Sequence, residues 1–381
     1  MKKISNLLMM ALLTIGMGLT SCEGALDDIL GEWSRPTPGN VTPFSELSTP
    51  LTLEAITAGT IKVSSPKSGM QYSLNGGAKT AVTTTAIDVA VGDKVAFYGK
   101  GTSITKYYGT EIAGGTAEVK VYGNIMSLLD ETGFATATTL PATTQTFSQL
   151  FFDNDKLKDA NGLLLPAETL ADNCYSLMFK DCKSLTAAPA LPAKTLDAYC
   201  YANMFEGCAS LTTAPELPAT TAPGFCYQSM FYGCTSLTTA PALPATTIGA
   251  SCYWNMFRNC TSLTTAPELK ATTLESNCYE SMFNGCTSLT TAPELPATTL
   301  AERCYLSMFE GCTSLNAVTC LATDITATNC TAYWLDGAGT DASVTSRTLH
   351  IKTGQDTTDT NWNLSTSGDG SSKKWTAVAD R

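Results

Sequence analysis

The sequence predicts an α+β chain: a small β-sandwich, a solenoid of 26-residue units that supplies the helices, and a β cap. Three observations predict it. Short runs between Leu51 and Tyr122 alternate apolar and polar residues. Cys174, Cys200, Cys226, Cys252, Cys278, Cys304 and Cys330 then follow one another at intervals of 26 residues without slippage. Beyond Cys330 the consensus decays and new alternating runs appear. A fixed period of this length marks an array in which each unit buries its apolar face against its neighbours.

At the N-terminus, Lys2 and Lys3 precede an apolar stretch, Leu7 to Leu19, that is short for a membrane span and ends in Leu19-Thr20-Ser21-Cys22. The segment resembles the lipobox of bacterial lipoproteins. That resemblance implies removal of residues 1–21 and diacylation of the Cys22 thiol, so that the lipid is the anchor to the membrane. Glu23, Asp27 and Asp28 resemble the surface-export signal of Bacteroidetes lipoproteins, which implies an outer-membrane protein facing the cell exterior. Residues 22–50 carry Pro36, Pro38, Pro43 and Pro50 among Ser, Thr and Gly, and read as an extended spacer.

Residues 51–125 form the expected β-sandwich. Leu51–Ile56, Thr60–Val63, Met70–Leu74, Ile87–Val91, Lys94–Tyr98 and Ala117–Tyr122 all have strand patterning. Asn75-Gly76 and Gly92-Asp93 are the expected hairpin turns, because both pairs tolerate positive φ. Gly123 to Leu129 reads as a short helical or irregular joint.

The solenoid spans 138–338. A second cysteine series, Cys182, Cys208, Cys234, Cys260, Cys286 and Cys312, follows the first by eight residues, with a Met-Phe pair between them. In a helix, with about 100° per residue, the two Cys, the Met and the Phe share one face. Gly207, Gly233, Gly285 and Gly311 would end that helix in the left-handed conformation. The leucines that follow, including the series Leu191, Leu217, Leu243, Leu269, Leu295 and Leu321, point inward from a short extended segment. Pro189, Pro215, Pro241, Pro267 and Pro293 keep any parallel strand there short. Trp334-Leu335 closes the last unit in the Met-Phe position. Residues 339–381 form the cap, with strands around Arg347–Ile351 and Lys374–Val378 that cover the open end.

Met-Phe-x-Gly-Cys-x-Ser-Leu resembles the BspA-like, treponemal-type leucine-rich repeat of bacterial surface proteins. The resemblance covers Leu140 to Gly337, about half of the chain, and makes the solenoid leucine-rich-repeat-like. It implies a cell-surface adhesin that binds host matrix or cell-surface proteins. The second cysteine, the extra proline and the longer unit depart from the family pattern.

Composition narrows the functions. With 15% charged residues, a formal charge of −11 and one histidine, the chain lacks the cationic surplus that nucleic acid requires. Fifteen cysteines suggest disulfides. Two helical cysteines eight apart are about 12 Å distant, however, beyond disulfide reach. The twelve cysteines from Cys174 to Cys312 are therefore read as core ladders of free thiols, small hydrophobes once buried. Cys320, outside both series, is a candidate disulfide partner for Cys330. Zinc needs converging pairs such as Cys-x-x-Cys, which the axial series does not provide. No metal, cofactor or enzyme class follows from the sequence, since the sole histidine, His350, has no nucleophile spaced near it.

The Thr pairs Thr238-Thr239, Thr264-Thr265 and Thr290-Thr291 recur in register. Adjacent residues on an extended chain point to opposite sides, so these pairs should not form one flat surface. The positions free to vary are those after Cys-Tyr and after Met-Phe. Among them Trp254, Tyr232, Arg258, Gln228 and Glu280 are the candidate binding residues, because Trp, Tyr and Arg dominate interface hot spots. A protein ligand is the first expectation. A glycan bound in nutrient uptake, with the β-domain as ligand module, is the second, and a structural envelope role the third.

Overall fold

The computed structural model describes residues 47–101, 109–141, 144–364 and 375–381. All of these fall within one compact unit, Pro43–Arg381. Cys22, the lipobox and the spacer through residue 46 lie outside the described residues.

The N-terminal part carries β1 (Thr52–Ala55), β2 (Gly59–Ile61), β3 (Val63–Ser64), β4 (Gln71–Leu74), β5 (Thr80–Ala81), β6 (Ile87–Val89), β7 (Lys94–Tyr98), β8 (Glu111–Ile112) and β9 (Val119–Asn124). Alternation places Val95, Phe97, Val119 and Val121 in the core, each no more than 2% exposed. The hairpin expected at Asn75-Gly76 is present: both residues have positive φ (51° and 73°), and β4 pairs antiparallel with β5. The hairpin expected at Gly92-Asp93 is not. Gly92 has φ 85°, but the strands it joins diverge: β6 pairs with β2, while β7 lies between β1 and β4. The joint after β9 is a 3-10 turn, Ile125–Leu128, capped by Asn124.

The N-terminal sheet does not stop at the repeats. The strand β10 (Leu157–Leu164), from the first degenerate unit, runs parallel to β9 and extends the sheet to the order β10-β9-β1-β7-β4-β5. Asp159 on β10 then bridges Ala187 of the next unit. Backbone pairing thus runs from the N-terminal sheet into the solenoid, and the sheet seals the solenoid's first coil.

The expected helices do not form, and the chain is not α+β. Strands and turns dominate, with almost no helix. From Asn173 to Cys182 the backbone N–H groups alternate in direction. Those of Cys174, Ser176, Met178, Lys180 and Cys182 reach back three residues within the coil, at 3.0–3.3 Å. Those of Asn173, Tyr175, Leu177, Phe179 and Asp181 donate to Ala198, Cys200, Ala202, Met204 and Glu206 of the next coil, at 2.7–3.0 Å. Every N–H in this run is satisfied, half by tight turns and half by the neighbouring coil, as a buried backbone requires. A helix would direct all of them inward along its own axis.

The turns impose a period of four, with one left-handed residue in each. Asn173, Leu177 and Asp181 have φ near +60°, as do Ser251, Asn255 and Asn259 three coils on. The glycines expected as helix caps do adopt this conformation; Gly233 has φ 72°. They occupy the third left-handed site of a turn ladder rather than a helix end. At Gly207 a side chain would also collide, since its Cβ would lie 2.5 Å from Asp181 Oδ1.

The rest of each coil is extended but broken. Isolated parallel bridges link Thr213, Thr239, Thr265 and Thr291, and short pairs join β11 (Thr221–Ala222) to β12 (Thr247–Ile248). Proline interrupts longer pairing, because it donates no ladder hydrogen bond. Residues 315–321 lack that proline. There the chain forms β14 (Ala317–Cys320), which pairs with β13 (Glu294–Leu295) on one side. On the other side lie β15 (Thr348–Ile351) and β16 (Thr376–Ala379), close to the positions expected for the cap. The pairing register slips by one residue here, although the cysteine spacing stays at 26, so Cys320 rather than Leu321 faces Leu295. Leu321 is only half-buried and does not continue the leucine series.

Between the turn ladder and the extended half lies a core of stacked columns. Phe151, Phe179, Phe205, Phe231, Phe257, Phe283 and Phe309 stack at 5.3–5.8 Å between ring centroids. Phe147, six tyrosines from Tyr175 to Tyr305, Trp334 and Trp362 form a second column at 5.6–6.4 Å. Thr331 stands where a tyrosine would be, and Trp334 fills the gap from the Met position.

Candidate functional site

The period of four decides what the solenoid shows to solvent. In each turn two residues point inward (Cys-Tyr, then Met-Phe) and the next two lie nearer the surface, most of them half-buried, with Ser176, Ala202, Ser229 and Ser281 buried. Outward residues of successive coils therefore form columns at the coil spacing. Gln228, Trp254 and Glu280 fall in one column, and Tyr232 and Arg258 in the next, one turn further along the chain. The five residues chosen from the sequence thus share one face, and all five are half-buried.

Within that face the Arg258 guanidinium carbon lies 6.0 Å from the Tyr232 ring centroid, and its Nη1 is 3.5 Å from Asn255 Oδ1. Its neighbours in the same column are charge-paired or hydrogen-bonded: Lys180 to Glu206 at 2.9 Å, and Asn284 to Glu310 at 2.9 Å. Arg258 forms no ion pair among the described residues, and its buried Nε has no hydrogen-bond partner. Asn277 hydrogen-bonds the Glu280 carboxylate.

Two further aromatics belong to this face and were not singled out in the sequence. Tyr199 and Phe225, directly before the first cysteine of their units, stack at 4.6 Å and are half-buried. Both have positive φ, 54° and 61°. A bulky side chain in that region is strained. The signal was present: Asn173, Asn277 and Asn329 hold this position elsewhere, and only these two units place an aromatic there.

The threonine pairs behave differently from the strand expectation. Both members of Thr238-Thr239, Thr264-Thr265 and Thr290-Thr291 are exposed, because the chain around each single bridge is not a regular strand.

The cysteine columns are buried and differ in what they do. In the second column each thiol donates to the phenylalanine carbonyl of the preceding coil, as Cys182 does to Phe151 at 3.0 Å and Cys260 to Phe231 at 3.1 Å. The fourteen described cysteines are free thiols. Burial pushes the Cys174, Cys286 and Cys320 thiols up to about 12 from an ordinary value near 9. The pairing expected between Cys320 and Cys330 is absent. Cys320 fills a leucine slot, and the Cys330 thiol donates to Ile325 O at 3.2 Å. Among the described residues no cluster of three or more His, Cys, Asp or Glu is placed to hold a metal. His350 lies on β15 with Nδ1 3.0 Å from Asp380 Oδ1.

A separate shallow cleft of about 380 Å³ lies on the N-terminal sheet, lined by Glu54, Lys94, Lys120, Tyr122, Asp159 and Asn161. Its charges largely cancel internally: Glu54 pairs with Lys120 at 3.0 Å and with Lys94 at 3.9 Å.

Set against family models, curated proteins and solved structures, the chain matches none of them.

Proposed function

We propose that this chain is a cell-surface lipoprotein, anchored to the outer membrane through Cys22, whose leucine-rich-repeat-like solenoid binds a protein partner through its turn face. The observation that carries the reading is the arrangement of that face. A nearly uniform core holds Tyr199, Phe225, Tyr232, Trp254 and Arg258 on neighbouring coils, and these are the residue types that anchor interfaces. Two of them occupy strained backbone, and the guanidinium beside them has no ion-pair partner and an unsatisfied Nε among the described residues. Solenoids adjust recognition by changing outward residues while leaving the buried ones alone.

Replacing Tyr232, Trp254 and Arg258 together by Ala in the full chain is the test, read against host matrix proteins and against a glycan array. Each anchor should contribute about 2 kcal/mol, roughly thirty-fold in affinity, and the triple variant should lose measurable binding. The control replaces exposed Thr238, Thr264 and Thr290 by Ala and should bind normally. Equal loss in both variants, or in neither, overturns the assignment to this face. Binding confined to glycans and abolished by Tyr122→Ala in the N-terminal cleft would favour a carbohydrate-uptake role instead. The anchor has its own readout: Cys22→Ser should move the protein from the membrane to the soluble fraction.

A further inference from the structure

Two facts about the first cysteine column point beyond its packing role. Every thiol of the second column, and that of Cys330, donates to a backbone carbonyl. Cys226 and Cys252 instead have each other: their sulfurs are 3.7 Å apart, the one thiol–thiol contact recorded among the described residues. Both side chains are fully buried.

We propose that Cys226 and Cys252 form a disulfide that links two neighbouring coils. The backbone already holds the pair in register. Phe225 N–H donates to Ala250 O at 3.0 Å, and Tyr227 N–H donates to Cys252 O at 3.2 Å, so each cysteine is flanked by a cross-coil bond. The Tyr227 and Tyr253 rings beside them are 5.7 Å apart. Parallel chains about 4.8 Å apart fall inside the Cα window of about 4.4–6.8 Å that a disulfide needs. Closing the gap to a bond of about 2.05 Å moves each sulfur by about 0.8 Å.

The chemistry is thiol–disulfide exchange with a small external disulfide. The thiolate of one cysteine attacks a sulfur of the oxidant, and the other half leaves as a thiolate. The second cysteine, deprotonated, attacks the mixed disulfide at the protein sulfur and releases the second half. The two protons of the cysteines end on the two released thiols, and two electrons pass from the protein to the oxidant. Once the coils have closed, no oxidant reaches sulfurs at 0% exposure. The bond therefore forms while the chain folds.

The experiment unfolds the full chain, reduces it, and refolds it with oxidised glutathione or with reduced glutathione alone. Free thiols are alkylated in denaturant and the chain is digested without reduction. Lys194 and Arg258 are the tryptic sites that bracket both cysteines in one peptide, so chymotrypsin is the enzyme of choice. The expected result is one linked peptide pair carrying Cys226 and Cys252, absent from the reduced arm and from Cys252→Ala, with the other thiols alkylated. Cys226→Ala serves equally should Cys252→Ala fail to fold. Refolded protein with a native thermal transition and every thiol alkylated overturns the proposal. So do linked peptides spread evenly over the rungs Cys174–Cys200, Cys226–Cys252 and Cys278–Cys304.

Discussion

Cys260 donates to Phe231 O in the coil before it, and that carbonyl also accepts the N–H of Cys234. Such a double acceptor explains why the site holds cysteine and not alanine or valine: it takes a small apolar side chain that still carries a donor. The tyrosine column obeys the same accounting less well. The hydroxyls of Tyr175 and Tyr305, at the two ends of the tyrosine run, are buried and have no hydrogen-bond partner among the described residues. A buried hydroxyl left unpaired costs about 1–3 kcal/mol. Tyr175→Phe should therefore raise the denaturation midpoint, by a stability gain of about 1 kcal/mol, although it deletes an atom from the core. A urea titration of that variant against wild type checks the sign, and a loss of stability would show that the hydroxyl does have a partner.

At the scale of one coil, the four-residue turn is the controlling element, and its demand for positive φ conflicts with the aromatic face. Phe225 sits where Asn173, Asn277 and Asn329 relieve that demand elsewhere. Phe225→Asn should leave stability within about 1 kcal/mol of wild type, since relief of left-handed strain offsets the lost stacking on Tyr199. Ligand binding should nonetheless fall. Thermal midpoints set beside binding isotherms test this, and a fall in both together would make Phe225 a packing residue only. The turn was also the least legible feature of the sequence. Cys, Met and Cys at intervals of four fit a period of four as well as one of 3.6, because nine residues are too few to separate them. The two Cys, the Met and the Phe are inward on either reading, so those columns could be named from spacing alone, whereas the buried tyrosine column beside them was not. What distinguished the two was the left-handed position, and Leu177, Tyr199, Phe225 and Arg303 obscured its Asn/Gly/Ser signature. The proline effect was legible, and β14, the coil without one, displays it. The divergence at Gly92 was not, because a local turn signal carries no information on which strands pair across the sheet.

For the molecule as a whole, the column of buried thiols sets an alkaline limit. Folding raises the Cys174, Cys286 and Cys320 values from near 9 to about 12, so the protonated form is favoured in the native state. Above the unfolded value the unfolded chain holds fewer protons than the native one, and stability falls as pH rises. Urea midpoints should be flat between pH 6 and 8 and drop steeply above about 9, by roughly 1.4 kcal/mol per unit for each such thiol. A flat profile to pH 11 would contradict burial of these groups. Translation along the axis gives a second expectation. Deleting one whole unit, residues 239–264, joins Thr238 to Thr265 in register and should leave a cooperatively folding protein, whereas deleting 239–251 should not. Far-UV circular dichroism through a thermal ramp separates the two. Such translation also means that nothing inside the stack fixes how long it is. Each coil is at once the product of the last addition and the template for the next, as in a growing one-dimensional crystal, and only the terminators differ. Trp362, laid over Trp334 with its carbonyl taken by the Trp334 indole N–H, plugs the ring column. β16 finishes the backbone ladder with half its side chains in water. A chain stripped of these two stoppers would present a live end, and live ends of identical pitch add to one another.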